Sequence, residues 1–163
     1  MIQLTPKKLS TKNIRLLNQL QKQIDSEAVF ADKVARAQLL WRSKGGKPGQ
    51  EVFSEIYDEL YDLCVYVGIC NYCEQSEAND IEHIYPKSFF PNLTFNWDNY
   101  LLACKQCNTA YKLDQCFVLD KKNNVLEVKR GNEPKHNIGC FINPKTEDPN
   151  NFIILNLLSF KFD

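Results

Sequence analysis

Two short cysteine pairs constrain this chain more than any other feature. Each has the form Cys-x-x-Cys, and the pairs are Cys70 with Cys73 and Cys104 with Cys107. A two-residue gap lets both sulfurs of a pair face one ion, and two pairs supply the four thiolates of a tetrahedral zinc site. Because four thiolates leave no position for water, we expect one Zn²⁺ that supports the fold and takes no part in chemistry.

Disulfide bonds and two unrelated cysteine pairs are the alternative explanations. Cysteines three residues apart seldom reach good disulfide geometry, and the start of the chain lacks the basic-then-apolar order of a signal peptide. Of the seven cysteines, Cys64, Cys116 and Cys140 remain outside the pairs, and they fit a reducing compartment. Since no apolar stretch reaches transmembrane length, we predict a cytoplasmic protein with no membrane partner.

A histidine and two acidic residues lie between the cysteine pairs. In a strand, Asp80 and Glu82 would share one face and His83 the other, unless a bulge or turn returned it beside Glu82. Histidine accepts protons near neutral pH, and carboxylates are hard donors suited to Mg²⁺ or Mn²⁺. Asn108 adds a carbonyl oxygen directly after Cys107, so the zinc could fix the position of a second, catalytic metal site.

Together these motifs resemble those of the HNH endonucleases, in particular the zinc-stapled ββα-metal type. Glu82-His83-Ile-x-Pro86 resembles the first motif, although that motif usually has Asp before the histidine. Asn99 is similar to the central asparagine, and Asn108 to the last position, which is His or Asn among members. Each motif alone is weak, but their order around the cysteine pairs is specific.

The resemblance implies a phosphodiester hydrolase. DNA is the usual substrate of the family, and RNA is the alternative substrate. His83 would deprotonate the water, and Glu82 and Asn108 would hold one Mg²⁺ or Mn²⁺, with Asp80 as a further ligand. Asn99 would hold the loop that presents His83. The products would then carry 5′-phosphates.

Basic residues for binding phosphate must be local, because Lys plus Arg and Asp plus Glu number 20 each. Lys87 and Lys112 are the candidate phosphate contacts nearest the motifs. From residue 105 to 135, seven Lys or Arg stand against four Asp or Glu. This segment is therefore the best candidate for a phosphate-facing patch.

A narrower resemblance concerns the partner of such a nuclease. The motif set, with the later segment 142–149, is similar to the HNH subunit of Septu-type and retron-associated anti-phage systems. That resemblance implies an ATPase subunit as partner.

Two other functions compete with the nuclease. A non-catalytic zinc module that binds nucleic acid or protein explains the cysteines but gives Glu82, His83 and Asn108 no role. A zinc deaminase is excluded, since it needs His-x-Glu ahead of Pro-Cys-x-x-Cys.

The fold class expected is α+β: a helical N-terminal part, then a zinc-stapled ββα-metal module, then a small β-hairpin extension. Apolar spacing predicts helices over 10–26, 28–43 and 51–67, with a loop at 43–49 and Gly68 as the third helix's stop. A helix is also expected at 105–114 and a hairpin at 116–129. We divide the chain into a helical region (1–50), a nuclease core (51–115) and a hairpin, loop and apolar tail (116–163) that packs on the core or a partner.

Overall fold

A computed structural model describes residues 1–5, 7–135, 139–159 and 161–162 of the 163-residue chain. Three helices come first, and three two-stranded antiparallel sheets follow, which confirms the α+β class. The helices are α1 (Thr11–Asp25), α2 (Phe30–Ser43) and α3 (Lys47–Leu63); the strands are β1 (Asp80–His83), β2 (Tyr100–Ala103), β3 (Phe117–Leu119), β4 (Val125–Glu127), β5 (Leu155–Asn156) and β6 (Lys161–Phe162).

Helix α1 follows directly from its sequence. Ser10 caps it by accepting a hydrogen bond from the Asn13 amide at 3.2 Å. Leu17, Leu20 and Ile24 recur at helical spacing, and all three are buried. This apolar stripe packs α1 against α2 and α3.

Helix α3 differs from its prediction at both ends. It begins at Lys47, inside the predicted loop, because Pro48 fits the first turn, where no backbone donor is needed. It ends at Leu63, before Gly68, because Cys64 turns to an extended backbone with ψ 143°. Gly68 instead adopts φ +73° in the following turn, where a Cβ atom would come within 2.5 Å of the Tyr61 ring.

Strands β1 and β2 form the hairpin that carries the site. Asp80 pairs with Ala103, and the register continues regularly until His83 pairs with Tyr100. All four residues of β2 are completely buried, because α3 packs on this hairpin. One hydrophobic core therefore runs from the N-terminal helices to the cysteine pairs.

The helix expected at 105–114 is largely a π-helix. Residues 105–106 are α-helical, but Cys107–Lys112 is π-helical, and the Leu113 amide donates to the Asn108 carbonyl at 3.0 Å. Single π-turns are frequent at functional sites. Because a π-helix has more residues per turn than an α-helix, side chains four residues apart lie more nearly one above the other.

The C-terminal part contains the predicted hairpin, β3–β4, whose turn is closed by Asp120. Beyond it, the side chains of Phe152, Ile154, Leu157 and Leu158 are exposed, and Leu158 is 95% exposed. Packing of this tail on a partner stays a prediction, and Phe160 lies outside the described residues. No described helix is both long enough and apolar enough to cross a membrane.

Candidate active site and metal centre

The four cysteines of the two pairs converge on one point. The Sγ atoms of Cys70, Cys73, Cys104 and Cys107 all lie within 4.8 Å of one another. The Cys73 and Cys104 sulfurs are 3.9 Å apart. With Zn–S bonds of about 2.3 Å, a tetrahedral site needs sulfurs about 3.8 Å apart, so this cluster fits Zn²⁺.

Backbone amides of the loops that carry these cysteines donate to their sulfurs, and this favours the thiolate at Cys73, whereas burial raises the pKa of Cys70 and of Cys107. The amide of Tyr72 donates to Cys70 Sγ and that of Cys107 to Cys104 Sγ, each at 3.4 Å. Burial raises the pKa of Cys73, but the amides of Gln75 and Ser76 outweigh it and lower that pKa to about 6. Deprotonated sulfur is the form that binds zinc.

One face of β1 meets one face of the π-helix. Asn108 Nδ2 donates to Asp80 Oδ2 at 3.3 Å, and Lys112 Nζ lies 2.5 Å from Glu82 Oε1. Asp80 and Glu82 share a face because they are two apart in a strand, and Asn108 and Lys112 because they are four apart in a helix. Burial raises the pKa of Glu82, and the Lys112 ammonium opposes this shift.

His83, at the end of β1, points away from this pairing into an aromatic environment. Its Nε2 lies 3.0 Å from the Thr94 carbonyl. The ring of Trp41 is 4.2 Å away between centroids, and that of Tyr100 is 5.4 Å away, both edge-to-face. Burial, assisted by Lys87, lowers the pKa of His83 well below its ordinary value of 6.5. The imidazole is therefore neutral at neutral pH.

Asn99 ties the segment that follows β1 to the turn at residues 91–93. Its Oδ1 accepts from the Tyr85 amide at 2.7 Å, while Nδ2 donates to the carbonyls of Tyr85 at 3.0 Å and Leu93 at 2.9 Å. The side chain is 2% exposed. Tyr85 is two residues from His83, so Asn99 fixes the segment that leaves β1.

The turn that contains Asn99 is braced from the C-terminal part. Asn143 Nδ2 donates to the Asp98 carbonyl at 2.9 Å, and Lys145 Nζ donates to the Trp97 carbonyl at 2.7 Å. Both bracing side chains are buried. The segment 142–149 therefore stabilises the turn that precedes β2.

A cavity of about 620 Å³ opens beside these residues. It is lined by the candidate residues Glu82, His83, Lys87, Asn108 and Lys112, and on the far side by Lys129 and Arg130, next to β4. Arg130 is partly neutralised by a close ion pair with Asp114. Four basic residues and three acidic ones, Glu82, Asp114 and Glu127, line the cavity, so one positive charge remains in excess to attract a phosphate group.

Alternation along a strand places Glu82 and His83 on opposite faces, and a bulge could have brought them together. The strand has no such bulge, yet both residues line one cavity. Glu82 faces the π-helix with Asp80, and His83 lies at the strand end, where the chain turns away. The Lys112 ammonium contacts both residues, since it also donates to the His83 carbonyl at 2.8 Å. In the described part of the chain, only the cysteine cluster gathers three or more His, Cys, Asp or Glu ligands.

Sequence reasoning missed four contributors to this region. Trp41 and Lys44 come from the end of α2, and Thr94 contributes through its backbone carbonyl. The Tyr72 hydroxyl is buried without a partner among the described residues, and burial and then Glu82 raise its pKa. In the sequence, Trp41 is recognisable only as a packing residue of a helix. The Thr94 carbonyl cannot be recognised at all, because every residue has a backbone carbonyl.

Comparisons of the sequence with known proteins point to the same part of the chain. Residues 70–112 match the family model of the HNH endonucleases. The Septu protein PtuB of Bacillus thuringiensis is 38% identical over 65 residues, which cover 37% of this chain. The match covers 25% of the relative, so the aligned part of this chain corresponds to about a quarter of that protein's length. No solved structure matches the chain.

Proposed function

We propose, from the premise that residues 70–112 form an HNH endonuclease module, that this protein hydrolyses phosphodiester bonds of nucleic acid, with DNA as the first substrate to test. One observation carries the proposal. Four residues that carry an imidazole, a carboxylate, an amide and an ammonium line the same 620 Å³ cavity, and one of them directly follows a cysteine of the four-cysteine cluster. These residues are His83, Glu82, Asn108 and Lys112.

His83 is the proposed general base. A carbonyl oxygen only accepts hydrogen bonds, so Nε2 must carry the proton that it shares with Thr94. The neutral ring then has its lone pair on Nδ1, which is the atom that can take a proton from water. Because the lowered pKa keeps the ring neutral, this base is ready at neutral pH.

Glu82, Asn108 and Asp80 are the proposed ligands of a catalytic Mg²⁺ or Mn²⁺. Their fit to a cation is supported by Lys112, whose ammonium already lies between Glu82 Oε1 and the His83 carbonyl. A divalent ion held there would neutralise phosphate charge and stabilise the departing 3′ oxygen. Glu82 and Asp80 would supply carboxylate oxygens, as hard cations require, and Asn108, whose Nδ2 donates to Asp80, would supply its carbonyl oxygen.

Lys112 and Lys87 are the proposed contacts to substrate phosphates. Both line the cavity, and both lie close enough to Glu82 to lower its pKa. A phosphate entering between them would compete with Glu82 for the Lys112 ammonium. Lys129 and Arg130 would extend the contact to a neighbouring phosphate.

Anti-phage defence is the proposed setting, and an ATPase subunit is the proposed partner. The likeness to a Septu protein over 65 residues supports the setting. The exposed apolar side chains of the tail offer one place for a partner to bind.

A cleavage assay tests the function. Wild type and His83→Ala, both with zinc content and circular dichroism checked, are incubated with plasmid DNA and with RNA in Mg²⁺ or Mn²⁺, with and without a co-encoded ATPase. The nuclease proposal expects cleavage by wild type and at least about 100-fold less by His83→Ala. Wild type that binds nucleic acid without cutting it would support the alternative, a non-catalytic zinc adaptor. Equal cleavage by both proteins would refute the role of His83.

A further inference from the structure

The closest ring contact of His83 comes from outside the module that matches the HNH family. Trp41 lies on α2, and its ring centroid is 4.2 Å from the imidazole centroid at an interplanar angle of 63°. The matched module begins at residue 70. An element of the helical N-terminal part therefore contacts the proposed base directly.

The other contacts of His83 leave its ring incompletely fixed. The single hydrogen bond from Nε2 to the Thr94 carbonyl sets one direction, but it permits the ring to tilt about that bond. Tyr100 contacts the ring at 5.4 Å, and its hydroxyl donates to the same Thr94 carbonyl at 2.7 Å. Trp41 contacts the ring from a second direction, and this contact limits the tilt.

Trp41 is itself held firmly. Its ring lies 5.3 Å from that of Phe53 on α3 and 5.5 Å from that of Tyr100 on β2. Lys44 Nζ lies 2.9 Å from the Trp41 ring centroid and 4.4 Å from that of Phe53. Edge-to-face ring contacts of this kind restrain the position of a ring. A ring restrained on several sides can restrain its neighbour.

We propose that Trp41 is a positioning residue for His83: it holds the imidazole in the orientation in which Nε2–H donates to Thr94 and Nδ1 faces the cavity. The inference rests on the proposed nuclease function, and it extends the active site to α2. Trp41 acts through His83 and does not contact the substrate. Small errors in the position of a base are costly, since a displacement of about 1 Å can lower a rate about 100-fold.

The competing explanation is that Trp41 is only part of the core. A core role predicts loss of stability with no specific effect on His83, so the control should damage the core elsewhere on α2. Leu40, the neighbour of Trp41, is buried and belongs to the same core. Leu40→Ala therefore matches the loss of packing without removing a contact to the imidazole.

Four variants test the proposal in the zinc-loaded protein: Trp41→Leu, Trp41→Phe, Leu40→Ala and His83→Ala. The first readout is kcat and KM for plasmid cleavage, at a temperature where every variant is folded. We expect Trp41→Leu to lower kcat about 100-fold, with KM changed less than about twofold. Trp41→Phe, which keeps a ring edge, should recover most of kcat, and Leu40→Ala should keep it.

The second readout does not depend on cleavage. The ¹⁵N shifts of the His83 ring report which nitrogen carries the proton, and we expect wild type to show a protonated Nε2 and a free Nδ1. Trp41→Leu should mix the two tautomers, while Leu40→Ala should not. Unchanged ring shifts in Trp41→Leu, or a kcat loss equal to that of Leu40→Ala, would overturn the proposal. If His83→Ala cleaves like wild type, the nuclease mechanism fails, and the ring shifts still decide whether Trp41 positions His83.

Discussion

Lys112 Nζ lies 2.5 Å from Glu82 Oε1, and the two side chains are only 13% and 8% exposed. The ammonium also reaches the His83 carbonyl, so a cation of the chain lies where the proposed divalent ion would bind. Before that ion can bind Glu82, Lys112 must give up this contact. The pair therefore sets up a competition between an internal cation and a metal ion.

Lys112→Met should make the protein depend more strongly on a divalent ion. Removing one partner of a buried ion pair costs about 3–5 kcal/mol, because Glu82 is left with an uncompensated charge. We expect lower thermal stability without added metal, and a larger rise in Tm on adding Mn²⁺ than in wild type. Cleavage should fall, since a phosphate contact is also lost.

Lys105→Met is the matched control, because Lys105 is exposed at the start of the same helical segment. It should respond to Mn²⁺ as wild type does. If Lys112→Met and wild type show the same Mn²⁺-dependent rise in Tm, Lys112 does not compete with the ion.

Replacing one cysteine of the cluster should abolish zinc binding. Cys107→Ser removes one of four thiolates, and metal affinity in such sites is folding free energy. We expect less than one bound zinc per chain and a loss of at least about 3 kcal/mol in stability. In the wild type, cobalt substitution should give the absorption of a tetrahedral thiolate site.

Cys140→Ser is the control for the cysteine experiment. Cys140 is exposed and lies outside the cluster, so zinc content and stability should stay at wild-type levels. Full zinc loading of Cys107→Ser would show that this residue is not a ligand.

Asn99→Asp should weaken both the fold and the site. The carboxylate can still accept from the Tyr85 amide, but it cannot donate to the carbonyls of Tyr85 and Leu93. Two part-buried acceptors then lose their partner, at a cost of roughly 2 kcal/mol. Urea denaturation should show this loss, and cleavage should fall because the segment after His83 is released.

Asn96→Asp makes the same chemical change close by. Asn96 caps its turn through Oδ1, which accepts from the Asp98 amide at 3.0 Å, and aspartate caps equally well. Its stability should therefore remain within about 0.5 kcal/mol of wild type. Similar losses in both variants would argue that added negative charge, and not the lost donors, is responsible.

The parts of this molecule that were predictable are those in which neighbours along the chain decide the outcome. Helix α1 follows from its cap and its apolar spacing, and the shared faces of Asp80 with Glu82 and of Asn108 with Lys112 follow from strand and helix periods. The contact between Trp41 and His83 was not predictable, because it depends on how α2 packs on the hairpin. The π-helix was missed for a related reason, since propensity does not separate α from π turns.

Lys44 should make stability depend on pH in a defined direction. Burial, together with Lys87, lowers its pKa from 10.5 to about 6, and no acidic side chain in the described residues pairs with it. Between those two pH values the unfolded chain binds a proton that the folded chain lacks, so the wild type gains stability as pH rises. Below about pH 6 both states are protonated, and the full cost of burying the charge remains.

Lys44→Met removes this titration while keeping an unbranched side chain at a left-handed position, φ 54°. Its gain in Tm over wild type should be on the order of 5 °C near pH 5.5 and should shrink steadily towards pH 9.5. The exposed Lys47→Met controls for loss of a lysine beside the same loop. A gain that is constant with pH would mean that the folded protein keeps Lys44 charged, in which case the ammonium over the Trp41 ring is stabilised by the aromatic faces and not penalised by burial.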